Sequence, residues 1–361
     1  MVSSALAGGV LPMFNPIKVH DSAYTFSTQG FMADDPVSLH DFFNDWEGDY
    51  TPEKSDNYAF EFLRVDIGKS FGDGYYVGYF YQRDVIIKTN RGFVDAYYVI
   101  KNDLPIEQQQ DYELFLAIYG IIRHGIVFSR DMSVWSNDTK SLHIGFGAFV
   151  SYDTDMQHGT LSGEGSIYTD NSYDASGYTS YYYMDNLLYD LDVKDTYGLG
   201  YGTHFALLFE DKEYDYSLSF NVNDLFSYTH WKNLPYSLVN IETQNQEYDG
   251  DYVSYNPTIS GWELYKDFTQ KIEPKYNFEI SKTINKDYSV DVGVDYIYEI
   301  YFPYIKASRV CDDYLLSLQY EFRYETLGVA YSSKYMDFKI YSNGFAYTSA
   351  VGFSLGVHYT F

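Results

Sequence analysis

The final seventeen residues, Phe345 to Phe361, restrict the possible fold more than any other stretch of the chain. Odd positions read Phe345, Tyr347, Ser349, Val351, Phe353, Leu355, Val357, Tyr359 and Phe361. Even positions are Ala346, Thr348, Ala350, Gly352, Ser354, Gly356, His358 and Thr360. One face is therefore apolar or aromatic and the other small or polar. A period of two predicts a β-strand with a single greasy face. Strands of soluble sheets run to roughly 5–6 residues, whereas a tilted strand crossing a bilayer needs about 9–11.

Composition points the same way. The chain holds 43 Tyr and 26 Phe in 361 residues, yet its mean hydropathy is −0.33. A soluble core has no need of so many tyrosines. A membrane barrel does, because rings form girdles at both interfaces while lumen and loops stay polar. The greasiest run, Phe115 to Ile122, is far short of the roughly 18 residues of a membrane helix. A net charge of −27 excludes a phosphate-tracking nucleic-acid binder. Cys311 is the single cysteine, which excludes an intramolecular disulfide and a cysteine metal site.

Similar alternation recurs upstream. Clear examples are Tyr197 to Phe209 with Tyr214 to Val222, Tyr288 to Ile300 facing away from Asp287, Asp291, Asp295 and Glu299, and Tyr314 to Phe322. Strands are expected from Asn57 onward, with a bulge where Tyr58, Phe60 and Phe62 give way to Leu63, Val65 and Ile67. Asn90-Arg91-Gly92 predicts a turn, and Phe93 to Ile100 the strand after it. Trp231 and Pro235 suggest a bend. Residues 152–195 lack Lys and Arg until Lys194 and carry many acids, which predicts a long acidic, Tyr-rich extracellular loop.

The closing strand, with Tyr359 and a terminal Phe361, resembles the C-terminal strand of Gram-negative outer-membrane β-barrels. That resemblance, over about residues 57–361, implies an all-β fold: a transmembrane antiparallel β-barrel of about fourteen strands, in a range of roughly 12–16 and even in number. It implies an outer-membrane location, lipid and lipopolysaccharide as surroundings, and the barrel-assembly machinery as a partner reading Tyr359 and Phe361. Further copies of the chain are an open alternative partner. Residues 8–56 are expected to form a periplasmic strap or a plug. Residues 1–7 end in Ala5-Leu6-Ala7, the small-residue pattern of a signal-peptide remnant; an ordinary flexible N-terminus is the alternative.

Candidate chemistry is sparse. His143, His204 and His358 lie on polar strand faces and so point to the lumen, as do Glu279, Asp291, Asp295 and Glu321. In an open lumen these carboxylates favour cations; in a plugged one they pair with Lys275, Lys306 or Arg323. No nucleophile elbow or metal-ligand spacing is present. Asp153, Asp155 and His158 superficially fit an outer-membrane protease, and Asp249-Gly250-Asp251 lacks the full calcium-loop spacing. The expectation is therefore a porin-like channel for small polar or cationic solutes, without enzymatic activity or cofactor. A non-conducting receptor, adhesin or scaffold is the alternative, and an outer-membrane hydrolase the third reading.

Overall fold

The computed structural model describes residues 9–17, 23–44, 46–170, 172–185, 196–243, 246–249, 252–255, 259–345 and 348–360. In chain order the strands are β1 (Ala23–Asp34), β2 (Asp56–Phe71), β3 (Tyr75–Asn90), β4 (Gln110–Ser136), β5 (Lys140–Ile167), β6 (Tyr173–Tyr183), β7 (Gly198–Asp211), β8 (Tyr216–Glu242), β9 (Gln246–Asp249), β10 (Tyr252–Tyr255), β11 (Ile259–Lys271) and β12 (Lys275–Thr283). They continue as β13 (Tyr288–Ile297), β14 (Ile300–Cys311), β15 (Tyr314–Glu321), β16 (Thr326–Ser333), β17 (Met336–Ser342) and β18 (Ala350–Thr360). Two helices interrupt them, α1 (Leu39–Phe43) and α2 (Arg91–Lys101).

Sixteen of these strands form one antiparallel sheet, closed where β18 pairs with β1. β6 and β7 take successive halves of the same edge of β5, and β11 and β12 do so on β8. Each of those two pairs occupies one position in the ring, which leaves a closed fourteen-strand barrel. Closure removes every sheet edge from the hydrocarbon, the condition for crossing a membrane with strands.

The side-chain faces identify the solvent on each side. Val292, Leu318 and Val329 point outward and are more than half exposed, while the alternate Asp291, Gln319 and Lys339 are almost wholly buried. A soluble barrel would hide the first set. Tyr24, Tyr288, Tyr314 and Tyr359 mark one rim of this apolar band, and Tyr152, Tyr197, Tyr296 and Tyr301 the other. Turns at 72–74, 137–139 and 312–313 are short and share the end where β18 finishes. That end is periplasmic, because outer-membrane barrels carry their short turns there and longer loops outside. β4, β5 and β8 run to 27 or 28 residues. With β6 and β11 they stand above the bilayer as a tall wall, while β13 and β14 turn back within 298–299 on the low side.

Several expectations need correction. The barrel begins at Ala23, not Asn57: of residues 8–56, residues 9–17 lie in the lumen, β1 joins the sheet, and 35–44 and 46–55 lie between β1 and β2 at the extracellular end. Register through β2 and β3 is continuous, with no bulge at Phe62–Leu63. Tyr58, Phe60 and Phe62 instead face a lumen that is itself aromatic at that level. Phe93 to Ile100 is helical, because the Asn90 side chain accepts the Phe93 N–H and caps α2. Most of the predicted loop 152–195 is strand, in β5 and β6; residues 186–195 lie outside the described residues. The Gly, Ser and Tyr residues of β5 and β6 alternate with little contrast in hydropathy, although Met156, Tyr181 and Tyr183 are buried. β8 runs on through Trp231 and Pro235, but its register against β11 shifts between them, where Asn233 is left-handed (φ 54°), and a second irregularity falls earlier, at Asp224 (φ 60°) and Phe226 (φ 53°). The closing strand starts at Ala350 rather than Phe345.

Candidate functional site: luminal segment, charged layer and extracellular mouth

Residues 9–17 lie inside the barrel, held by side chains that read their main chain. The N–H groups of Val10 and Leu11 donate to Asp295 Oδ2 at 2.5 and 2.9 Å. Gln29 both accepts from the Met13 N–H and donates to its carbonyl, each at 3.2 Å. Asn223 accepts the Phe14 N–H at 2.8 Å, and the Phe14 carbonyl accepts from the amides of Asn221 and Asn223. Lys339 donates to the Gly9 carbonyl and Tyr341 to that of Val10, both at 2.6 Å. These partners come from β1, β8, β13 and β17, so barrel closure builds the receptor. Buried backbone without such partners costs about 1–3 kcal/mol per group, and amide side chains on polar strand faces meet that need.

Beside Phe14 lies a largely buried layer of three cations and three carboxylates. Arg64 on β2 donates to Asp66 and Gln82 at 2.9 and 2.7 Å. Lys275 on β12 reaches Asp84 on β3 at 2.6 Å. Arg123 on β4 donates to Asp224 on β8 at 2.7 Å, with Asp84 3.6 Å from its second nitrogen. The left-handed backbone at Asp224 and Phe226, rare for residues with a Cβ, turns Asp224 inward toward Arg123 and Phe226 outward. His204 on β7 is completely buried, stacked on Phe149 with centroids 5.1 Å apart, and accepts the Asp224 N–H.

Toward the cell exterior the lumen turns apolar. Phe31, Phe60, Phe62, Phe302 and Tyr324 pack with Val10, Leu11 and Met13; Phe31 and Phe302 meet edge to face at 5.7 Å. Above them the tall wall leans over the low one. Tyr119 contacts Tyr298 of the β13–β14 turn, His158 contacts Tyr119, and Phe268 contacts His158. A cavity of about 670 Å³ opens here, lined by Tyr58, Lys88, His158, Phe268, Tyr276 and Tyr298 among others. Burial depresses the basicity of His158. At the rim, burial lifts the Asp35 carboxyl above its ordinary value, opposed by Arg323 and Tyr324, which both bond to it.

The candidates from sequence fall as follows. Glu279 and Asp291 share Lys306, at 3.3 and 3.0 Å. Tyr304 donates to Glu279, and Asn277 donates to both Tyr304 and Asp295, so three of the four carboxylates belong to one network. Glu321 accepts the N–H groups of Arg323 and Tyr324 instead. His143 lies 3.5 Å from Asp131, and His358 2.8 Å from Asp337. Asp153 bonds Thr229 in the lumen while His158 sits in the mouth, so they form no common centre. Tyr359 points outward, and Phe361 and the Gly250-Asp251 pair lie outside the described residues. Among the described residues, no group of three or more His, Cys, Asp and Glu is placed to hold a metal. Sequence reasoning passed over Arg64, Arg123, Asn221 and Asn223. Their only signal is a charged or amide residue on the inward face of a long strand.

A second polar space of about 390 Å³ lies at the periplasmic end, lined by Glu210, Ser217, Asn277, Glu279, Ser281 and Asp291 among others.

No family model matches the chain and no curated protein matches it. Solved structures align along nearly its full length. A TodX deltaS2S3 mutant monoaromatic hydrocarbon channel gives a TM-score of 0.48 at 10% identity, covering 96% of this chain and 93% of that one. The Ralstonia pickettii toluene transporter TbuX gives 0.31 at 6%, covering 96% and 92%. A Pseudomonas aeruginosa FadL homologue gives 0.31 at 11%, covering 99% and 96%. These likenesses are too distant to carry function. The closed ring, its lipid-facing apolar band and its aromatic rims make the protein a transmembrane β-barrel of the Gram-negative outer-membrane type.

Proposed function

We propose that the protein is an outer-membrane channel for small apolar or aromatic molecules, closed in this conformation by its own residues 9–17. The observation that carries the reading is the aromatic mouth at the cell exterior, followed inward by Phe31, Phe60, Phe62 and Phe302. A water-filled diffusion pore has polar walls throughout; here the outer half of the lumen has an apolar wall. Ligand sites are typically concave, mostly apolar and fitted with a few polar groups. Lys88 and His158 supply those groups at the mouth. Transport requires residues 9–17 to give way, since Phe14 and its partners fill the centre. The test is uptake of labelled toluene by cells expressing the protein, set against Phe62→Ala and Tyr119→Ala variants. Uptake above that of cells lacking the protein, and altered by both variants, supports the reading. Uptake equal to that of cells lacking it refutes it.

A second reading, passive diffusion of small polar or cationic solutes, is favoured by the periplasmic polar space around Glu279 and Asp291. Liposome swelling with arginine or glucose separates the two, because an apolar-selective channel admits neither.

A further inference from the structure

The tall wall above the bilayer has two upright edges, and they are finished differently. At one of them, β4 extends to Gln110, beyond its last pairing with β3 at Leu116. The Asn90 side chain covers that edge, accepting the Phe115 N–H at 3.1 Å and donating to the Glu113 carbonyl at 2.9 Å, and α2 packs against it. At the other, β11 pairs with β8 from Ile259 to Lys271, and among the described residues no strand takes its second edge. β12 fills the lower half of the same side of β8 and pairs onward to β13. The free edge of β11 therefore stands above β13, over the low side of the mouth. An open row of main-chain N–H and C=O groups is a template for a further strand, which is why sheets blunt or cover their edges. Here Ser260 to Asp267 are exposed throughout, Trp262 by 71%, and the run contains no proline.

The two faces beside this edge differ in chemistry. Period two puts Trp262, Leu264 and Phe268 on the mouth side, where Phe268 lines the cavity. Glu263, Tyr265 and Asp267 share the outer side; Glu263 accepts from the Tyr183 hydroxyl at 2.6 Å and Asp267 from the Asn233 N–H at 2.9 Å. Lys266, the cation of the run, turns its ammonium onto the Tyr236 ring of the wall itself, 4.0 Å from the centroid. We propose that the free edge of β11 docks an extended segment of another protein, added as an antiparallel strand in which apolar side chains alternate with Lys or Arg. In strand addition the main-chain ladder supplies affinity and the alternate side chains specificity. The apolar set lies against Trp262 and Leu264. The basic set lies opposite Glu263 and Asp267, where opposite charges across a strand pair attract. The net charge of −27 also draws a basic partner from a distance. A second copy in the same membrane does not fit, because its β11 runs the same way relative to the bilayer, whereas a two-fold pairing of identical edges is antiparallel. The inference holds whichever solute the channel carries.

Hydrogen–deuterium exchange on the full, detergent-solubilised barrel tests it, with a synthetic peptide of alternating valine and lysine, as long as β11, as the probe. In the free protein the open-edge amides of residues 260–267 should exchange fast beside those of β13. If all of them exchange as slowly as β13, the edge is already covered by this chain or a second copy, and the proposal fails. Adding the peptide should slow the open-edge amides about tenfold; unchanged rates at millimolar peptide overturn the proposal. A valine–glutamate peptide should not slow them, and equal slowing by it overturns the charge assignment. The lysine peptide methylated on every main-chain nitrogen keeps its charge but lacks ladder donors, so protection by it overturns strand addition. The double variant Trp262→Lys with Tyr265→Lys should weaken peptide binding about tenfold by fluorescence anisotropy, and unaltered binding overturns the site. If that variant does not fold, the peptide series on the wild type still decides. None of these readouts measures flux, so their failure is distinguishable from failure of the channel reading.

Discussion

Tyr119 on β4 and Tyr298 in the β13–β14 turn meet across the extracellular mouth, with ring centroids 5.3 Å apart. They come from opposite sides of the ring, so their contact spans the entrance. A tilted aromatic pair adds about 0.5–1.5 kcal/mol beyond area burial, a small barrier suited to a gate. Tyr298→Ala should therefore raise toluene uptake by roughly 2- to 10-fold, read as initial rates at equal surface expression. Unchanged rates would mean that the mouth does not limit entry.

The pair Arg123–Asp224 should dominate barrel stability. Truncating one partner of a buried ion pair costs about 3–5 kcal/mol, because the other charge is left bare. Asp224→Asn should markedly lower the denaturant midpoint at which the heat-modifiable gel band is lost. The double change Arg123→Met with Asp224→Leu should recover much of that loss. A double variant as unstable as the sum of its singles would contradict the assignment.

Lys306 is paired with Glu279 and Asp291 at once. Replacing it with Met should leave two like charges facing the polar periplasmic space. We expect lower stability together with stronger cation preference in any conductance that remains, measured as reversal potential in a salt gradient. Lys306→Met combined with Glu279→Gln and Asp291→Asn should return both properties toward wild type.

The depressed basicity of His158 makes the mouth sensitive to acid. Its folded pKa lies below the ordinary 6.5, so the unfolded or opened state binds more protons as pH falls through that value, and closure loses free energy. Toluene uptake should rise below about pH 6 and become flat with pH in His158→Gln.

Some of this was plain in the sequence. β13 and β18 alternate apolar and small or acidic residues because one face meets lipid and the other water, and period-two reading needs no more than that. β1 was missed, and a bulge was read into β2, for the opposite reason. Phe31, Phe60 and Phe62 face an aromatic lumen, so inward and outward faces are both greasy and the period vanishes. α2 was read as a strand because its β-prone residues outweigh the one Asn90 cap. Among site residues, Asp291 and Asp295 stood out on the polar face of a clean strand. Arg64, Arg123 and Asp224 did not, since they are far apart in the chain and become neighbours only when the ring closes. The role of Asn221 and Asn223 depends on a segment two hundred residues away.

The central claim is that residues 9–17 close the lumen. Planar-bilayer conductance of the wild type beside a variant lacking residues 9–17 tests it most directly. The account predicts a nearly silent wild type and stable steps from the deletion variant, both shown folded by heat-modifiable mobility. Equal, stable steps from both would contradict it.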